Sequence, residues 1–324
     1  MSIRKKGFRG TGLNPVPFRA ANLFVLAVLL GCGPGPETPH IPVNVGSLYD
    51  HVNFLTSLPA ARNYENLTSL DLAADYIDSV FRIATSHVQT QTFPVEGERY
   101  RNIVWTFHPE GRPVVVVGAH YDVAGDQPGA DDNASGVAAL LELARLLSTL
   151  RPRLDHRIDL VAYSLEEPPY FRTEFMGSAV HARSLNEEGI RVEAMIALDM
   201  IGYFDSTPRK IRLPLGLTYP LSRDFIAVVG RLTDLRTVSR IKKWIRKGSD
   251  IEVRQLSLPP SWVKGVSWSD HRNYWAYGYP AVLITDTSFY RNPHYHKNTD
   301  TIRTLDFARM AEVVKGLYWT AVNL

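Results

Sequence analysis

The sequence of 324 residues predicts an α/β protein, with a mostly parallel central sheet sandwiched by helices. Three observations predict it. The run Val114-Val115-Val116-Val117 is uniformly β-branched, as a strand buried on both faces requires. Short apolar runs alternate with segments whose apolar residues recur at helical spacing. Acidic residues and histidines cluster directly after several of the apolar runs, and in open α/β sheets ligands gather at the carboxyl ends of strands.

The elements follow in order from about residue 45. Leu72, Ala73, Tyr76, Ile77 and Val80 recur at helical spacing and predict an amphipathic helix over 69–83. Residues 88–93 alternate weakly and 103–107 more clearly, so both read as strands. Pro109-Glu110-Gly111-Arg112 supplies the turn into strand 114–117. Ala134, Val137, Ala138, Leu141, Leu143, Ala144 and Leu147 predict a helix over 134–148. Strand 158–163, helix 176–185 and strand 194–199 come next, and strand 281–285 and a closing helix over 305–322 end the chain. The stretch 205–265 is expected to hold two helices and to form an insertion or cap near the site.

An apolar content of 45% and a charged content of 21% are ordinary for a folded soluble protein. The net charge of +3 is small and local: Arg4, Lys5, Lys6, Arg9 and Arg19 crowd the N-terminus, while Lys242, Lys243, Arg246 and Lys247 form a second knot. Neither is a broad basic face, which argues against a nucleic-acid partner. The second knot reads as the solvated face of a helix. The single cysteine, Cys32, permits no intrachain disulfide and no Cys-rich zinc site, so any metal must be held by His, Asp and Glu.

The N-terminal basic stretch is followed by an apolar run over 20–30. That is shorter than the about 20 residues a membrane span needs and matches a signal-peptide core. It ends in Leu29-Leu30-Gly31-Cys32, which resembles a bacterial lipoprotein signal. The resemblance implies cleavage before Cys32, a lipid on Cys32 and export to the cell envelope, or secretion or a periplasmic place without the lipid. Residues 33–44 are rich in proline and glycine, as an extended tether would be. The expected plan is therefore a signal over 1–32, a tether over 33–44 and a single domain over 45–324.

Five clusters carry chemistry. His120 and Asp122 follow strand 114–117; the histidine is a natural zinc ligand, and Asp122 suits its other ring N–H. Asp131 and Asp132 lie in Gly129-Ala130-Asp131-Asp132-Asn133-Ala134-Ser135-Gly136, ahead of a helix. One such residue would be an ordinary cap, but two adjacent aspartates exceed what a cap needs. Glu166 and Glu167 follow strand 158–163, where paired carboxylates repel unless a cation sits nearby. Asp199 ends an apolar strand and needs a partner. His294 and His296 lie in Asn292-Pro293-His294-Tyr295-His296-Lys297-Asn298-Thr299-Asp300-Thr301, and both are possible ligands by type.

Together GAHYDV, GADDNASG, the glutamate pair followed by MGS, LDM, Ser269-Asp270-His271 and YHKNTDT resemble the zinc-dependent aminopeptidases, the family that includes bacterial leucyl aminopeptidases. The resemblance runs from about residue 100 to 305. It implies a zinc exopeptidase fold of the phosphorylase/hydrolase-like type. It implies peptide substrates, two zinc ions and a zinc-activated water that removes N-terminal residues. Carried onto this sequence, Asp131 would bridge the metals, His120 and Asp199 would complete one site, and Glu167 and His296 the other. Glu166 would be the general base, with Asp122 and Asp132 in support and a cis peptide between Asp131 and Asp132. The donor set suits zinc.

The sequence departs from the family's pattern at Pro168-Pro169-Tyr170-Phe171-Arg172-Thr173-Glu174-Phe175, which separates the glutamate pair from the MGS glycine. Lys297 stands where a small residue is common. Tyr219, Tyr274 and Tyr290 are the candidates for assisting the substrate carbonyl. Late aromatics such as Trp268 and Phe289 suit either core packing or an apolar pocket. Glutaminyl cyclases share the fold with one zinc, and a carboxypeptidase-type activity would use the same ligands. A non-catalytic relative would have lost some of them.

Overall fold

The computed structural model describes residues 41–85, 87–212 and 218–324, with the backbone alone over 206–223. The signal expected to end at Cys32, most of the tether and the side chain of Tyr219 lie outside the described residues. Among the described residues no helix is long and apolar enough to cross a membrane.

Helix α1 (Val45–Thr56) starts where Asn44 accepts a hydrogen bond from the Ser47 N–H at 3.1 Å, and it buries Leu48, Val52 and Leu55. Helix α2 (Leu67–Ala84) buries Leu70, Ala73, Ala74, Ile77 and Phe81, a stripe at helical period. Strands β1 (Val88–Val95) and β2 (Glu98–Phe107) form an antiparallel hairpin. The rest alternates: β3 (Val114–His120), α3 (Gly136–Leu150), β4 (Arg157–Tyr163), α4 (Gly177–Glu187) and β5 (Val192–Leu198). After the hairpin of β6 (Asp205–Arg212) and β7 (Thr218–Arg223) come β8 (Phe225–Gly230), α5 (Leu235–Gly248), β9 (Glu252–Ser257), α6 (His271–Trp275), β10 (Ala281–Thr285) and α7 (Phe307–Ala321).

Eight strands form one sheet in the order β1-β2-β4-β3-β5-β10-β8-β9. The middle four, β4, β3, β5 and β10, are mutually parallel. Alternation along them divides the apolar side chains between two cores. Val117, Leu160, Ile196 and Ile284 pack with α1, α2, α3, α5 and α7. Val116, Val161, Met195 and Leu283 pack with α4 and α6 on the other face. A strand buried on both sides must be apolar at every position, which is why β3 reads as a valine run. Ile196 is fully buried, so Ile196→Ala would cost about 2–5 kcal/mol.

The region 205–265 differs from the expectation of a two-helix cap. Among the described residues it holds one long helix, α5, and β8 and β9 extend the central sheet beyond β10. The physical reason is the apolar run of β8, Phe-Ile-Ala-Val-Val-Gly, which pairs antiparallel with β10 while Ile241 and Ile245 of α5 cover it.

Candidate metal centre

Parallel strands end along one edge. His120, the last residue of β3, lies beside Tyr163 at the end of β4, and Leu198 of β5 lies beside Ile284 of β10. The residues just past these ends therefore share a small volume: His120, Glu166, Glu167, Asp199 and Asp286. The chain turns sharply there. Leu165, Met200 and His296 adopt φ values of 61°, 56° and 53°, a left-handed region that side chains beyond glycine seldom enter. Such residues cost about 1–3 kcal/mol each and cluster at sites whose geometry is over-determined by their surroundings.

The carboxylate of Asp132 stands between two histidines. Its Oδ1 is 3.4 Å from His120 Nε2, and its Oδ2 is 3.2 Å from His296 Nε2. Asp199 Oδ1 approaches His120 Nε2 to 3.8 Å, and Glu167 Oε1 approaches His296 Nε2 to 3.4 Å. Three groups of donors result among the described residues: His120 with Glu166 and Glu167, His120 with Asp132 and Asp199, and His296 with Asp132 and Glu167. The last two share Asp132. Glu166 Oε2 lies 3.9 Å from His120 Nε2. His294 turns away, its Nδ1 2.9 Å from Thr299 Oγ1.

The position expected for Asp131 is taken by its neighbour. Asp131 Oδ1 accepts from the Gly202 N–H at 2.8 Å and Oδ2 from the Asn292 amide at 2.6 Å, so its carboxylate is spent on holding the loops after β5 and β10. The cis peptide likewise joins Asp132 to Asn133, one residue later than the resemblance implied.

Three groups the sequence reading left without this role hold the ligand loops. Asp300 accepts from the N–H groups of Asp131 and Asp132 at 2.9 and 3.0 Å. Asp122 accepts from those of Glu166 and Glu167 at 3.1 and 3.0 Å. The His120 Nδ1 faces the Asp122 carbonyl at 3.2 Å, nearer than its carboxylate at 3.6 Å. Buried Arg62 donates to the carbonyls of Leu55, Tyr121, Pro128 and Gly129 and so ties the loop after β3 to α1. Asp286 ends β10 as Asp199 ends β5, so the same sequence signal would have found it. Arg62 carried no such signal.

The donors fit a cation. His120 Nε2 and Glu167 Oε1 are buried without a hydrogen-bond partner, although carboxylate or imidazole atoms ring each of them. Four carboxylates and two histidines of this kind form a hard, mixed oxygen and nitrogen set, suited to zinc. Without a cation, burial pushes the Glu166 carboxyl well above its usual range, against the pull of His120. Burial and the Asp132 charge push Glu167 up to about 7.

Asp132, Glu166, Glu167, Asp199 and His296 of the centre line a cavity of about 390 Å³. Val229, Leu256, Val266, Leu283 and Phe289 make much of the remaining wall apolar. Of the tyrosine candidates, Tyr290 lines this cavity but donates its hydroxyl to the Lys264 carbonyl. Tyr274 is buried in the core on the α4 face, its hydroxyl engaged by Tyr163 and His181. Tyr295, stacked on His296 with ring centroids 3.8 Å apart, lines the cavity and was not among the candidates.

The signature of peptidase family M28 matches residues 102–319. Uncharacterized protein YfbL of Escherichia coli K12 is 44% identical over 299 residues, covering 89% of this chain and 90% of that one. Leucine aminopeptidase 1 of Fusarium vanettenii is 27% identical across 77% of this chain, which spans 62% of that protein. Among solved structures, LapA aminopeptidase of Legionella pneumophila has a TM-score of 0.71 at 22% identity, with 86% of this chain and 70% of that one covered. Glutaminyl cyclase of Porphyromonas gingivalis has 0.65 at 20%, with 86% and 98% covered.

Proposed function

Since the chain belongs to peptidase family M28, we propose that it is an aminopeptidase, releasing N-terminal residues from peptides with two zinc ions and with Glu166 as general base. The observation that carries this reading is the Asp132 carboxylate, with one oxygen toward each histidine and a separate acid completing each of the two groups that share it. His120, Asp132 and Asp199 would hold one zinc, and His296, Asp132 and Glu167 the other. When bound, the zinc pair supplies Lewis acidity toward the scissile carbonyl and toward water.

The chain's own residues supply the rest. Glu166 also stands in a donor group with His120 and Glu167, but the two groups that share Asp132 do not use it, and its buried place beside His120 suits a base that takes a proton from water and returns it to the leaving amine. Asp122, through the Glu166 N–H, fixes where that base stands. The apolar wall of the cavity excludes water and receives the side chain of the released residue. Export with a lipid anchor at Cys32 is part of the proposal and rests on the N-terminal sequence alone.

The test is hydrolysis of amino-acid 4-nitroanilides and short peptides by protein beginning at residue 33, with zinc counted per chain. Two zincs, activity lost on chelation, and a Glu166→Gln variant that keeps its metal but loses about 10²–10⁴-fold in kcat are the expected results. One zinc per chain with cyclisation of N-terminal glutamine would replace the reading with the cyclase one. Zinc-loaded protein that cleaves nothing from the N-terminus would overturn it.

A further inference from the structure

The segment 168–175 carries a cation beside two aromatic rings that line the cavity. The Arg172 guanidinium carbon lies 5.2 Å from the centroid of Phe171 and 5.5 Å from that of Trp268. Arg272, from α6, approaches the same Phe171 ring to 5.9 Å. Lys264 Nζ lies 4.8 Å from the Trp268 centroid. Phe171, Trp268 and Lys264 all line the cavity that holds Glu166.

Among the described residues none of these three cations has a carboxylate within ion-pair distance. Arginines on a surface are usually scattered or paired. Here two guanidiniums share one ring, and Arg172 adopts a φ of 67°, an uncommon conformation for a long side chain. Burial and the neighbouring charge of Arg172 lower the pKa of Arg272, while Glu166 acts in the opposite direction, which puts Arg272 within the electrical reach of both. Planar guanidiniums stacked on aromatic rings keep their N–H edges free, and such edges match a carboxylate.

We infer that Arg172 and Arg272, with Lys264 beside them, bind a carboxylate on the leaving residue of the substrate, so that dipeptides with a free carboxyl end are preferred. The inference rests on the aminopeptidase reading and names its substrate class. With the released side chain in the apolar part of the cavity and the scissile carbonyl beside Glu166, the leaving residue extends toward these cations. The carboxylate there is either its α-carboxylate, the source proposed, or an acidic side chain.

Two measurements test this together. Kinetics on the zinc-loaded enzyme compare Leu-Ala, Leu-Ala amide and Leu-Asp amide. Calorimetry compares the uncleavable reduced-bond analogue of Leu-Ala with its own amide. The wild type is expected to favour Leu-Ala over its amide by about tenfold in kcat/KM, mainly through KM, and to bind the acid analogue about tenfold more tightly. Arg172→Gln combined with Arg272→Gln should erase both preferences and leave Leu-Ala amide within about twofold, with zinc content unchanged. Lys264→Gln should give a smaller loss of the same kind. A strong preference for Leu-Asp amide would support the cation cluster while reassigning the carboxylate to the side chain. Equal binding of acid and amide analogues would overturn the inference even if peptides are cleaved. Tighter binding of the acid with no cleavage would leave it standing and remove the aminopeptidase reading instead.

Discussion

Asp300 holds Asp132 by its backbone: one oxygen of Asp300 accepts from the Asp132 N–H at 3.0 Å while the other accepts from the Asp131 N–H at 2.9 Å. A carboxylate offers acceptors at both oxygens, whereas an amide replaces one with a donor. Asp300→Asn therefore turns an N–H against an N–H beneath the ligand loop. Zinc affinity should fall about 10–100-fold, with activity largely recovered at saturating zinc. Competition with a chromogenic chelator checks it, and unchanged affinity would mean that the loop holds Asp132 without this clamp.

A second expectation concerns acid. Burial lowers the pKa of His181 to about 4, partly offset by the charge of Asp159, and its Nδ1 lies 2.6 Å from the Tyr274 hydroxyl. In the unfolded chain a histidine titrates near 6.5. Between about pH 6.5 and 4 the unfolded state thus binds a proton that the native state does not. The stability this residue contributes is full above that window and is lost as pH falls through it. By pH 4.5 the loss from His181 alone is about 2–3 kcal/mol. Urea unfolding of wild type and His181→Gln at pH 7 and 4.5 measures it: the variant, though less stable at pH 7, should lose that much less on acidification.

Export is tested separately from catalysis. Cells expressing the full chain and fed a labelled fatty acid should incorporate label into the wild type and none into Cys32→Ala, whose protein should leave the membrane fraction. Label that survives the substitution would refute the anchor while leaving the peptidase reading intact.

Much of this was legible in the sequence where one physical demand dominates. The central strands must be apolar on both faces, so 114–117, 158–163 and 281–285 stand out. Helices α2, α3 and α7 show their buried stripes at helical spacing. Helix α1 carried the same signal in Leu48, Val52 and Leu55, behind an Asn44 cap, but its nearness to the tether obscured it. Strands β8 and β9 were obscured because Phe225 to Gly230 is too short a run to tell strand from helix. At the centre, residue type and position marked out His120, Asp122, Asp131, Asp132, Glu166, Glu167, Asp199, His294 and His296 as candidates, and the resemblance to the zinc-dependent aminopeptidases singled out His120, Glu166, Glu167, Asp199 and His296 among them. Neither was enough to choose between adjacent aspartates, because a loop's backbone decides which carboxylate points where. Nor could spacing reveal Asn292 and Gly202, which engage Asp131 from far along the chain.

That choice yields the last prediction. Asp132 faces both histidines, whereas both oxygens of Asp131 are occupied by the Asn292 amide and the Gly202 N–H. Substituting each by asparagine should then separate metal loss from loop loss. Asp132→Asn removes the charge common to the two groups that would hold zinc, so both zincs should weaken together and activity should fall at least about 100-fold. Asp131→Asn keeps an acceptor for Gly202 but sets an amide donor against the Asn292 amide. That costs about 1–3 kcal/mol of stability and leaves the chain able to load two zincs. In Asp131→Asn, adding Asn292→Asp reverses donor and acceptor and should restore most of the stability lost. Zinc counts and melting temperatures of the four proteins decide it. If Asp131→Asn lost its metal while Asp132→Asn kept both, the bridging role would return to Asp131, and the carboxylate seen between the histidines would have to rearrange when metal binds.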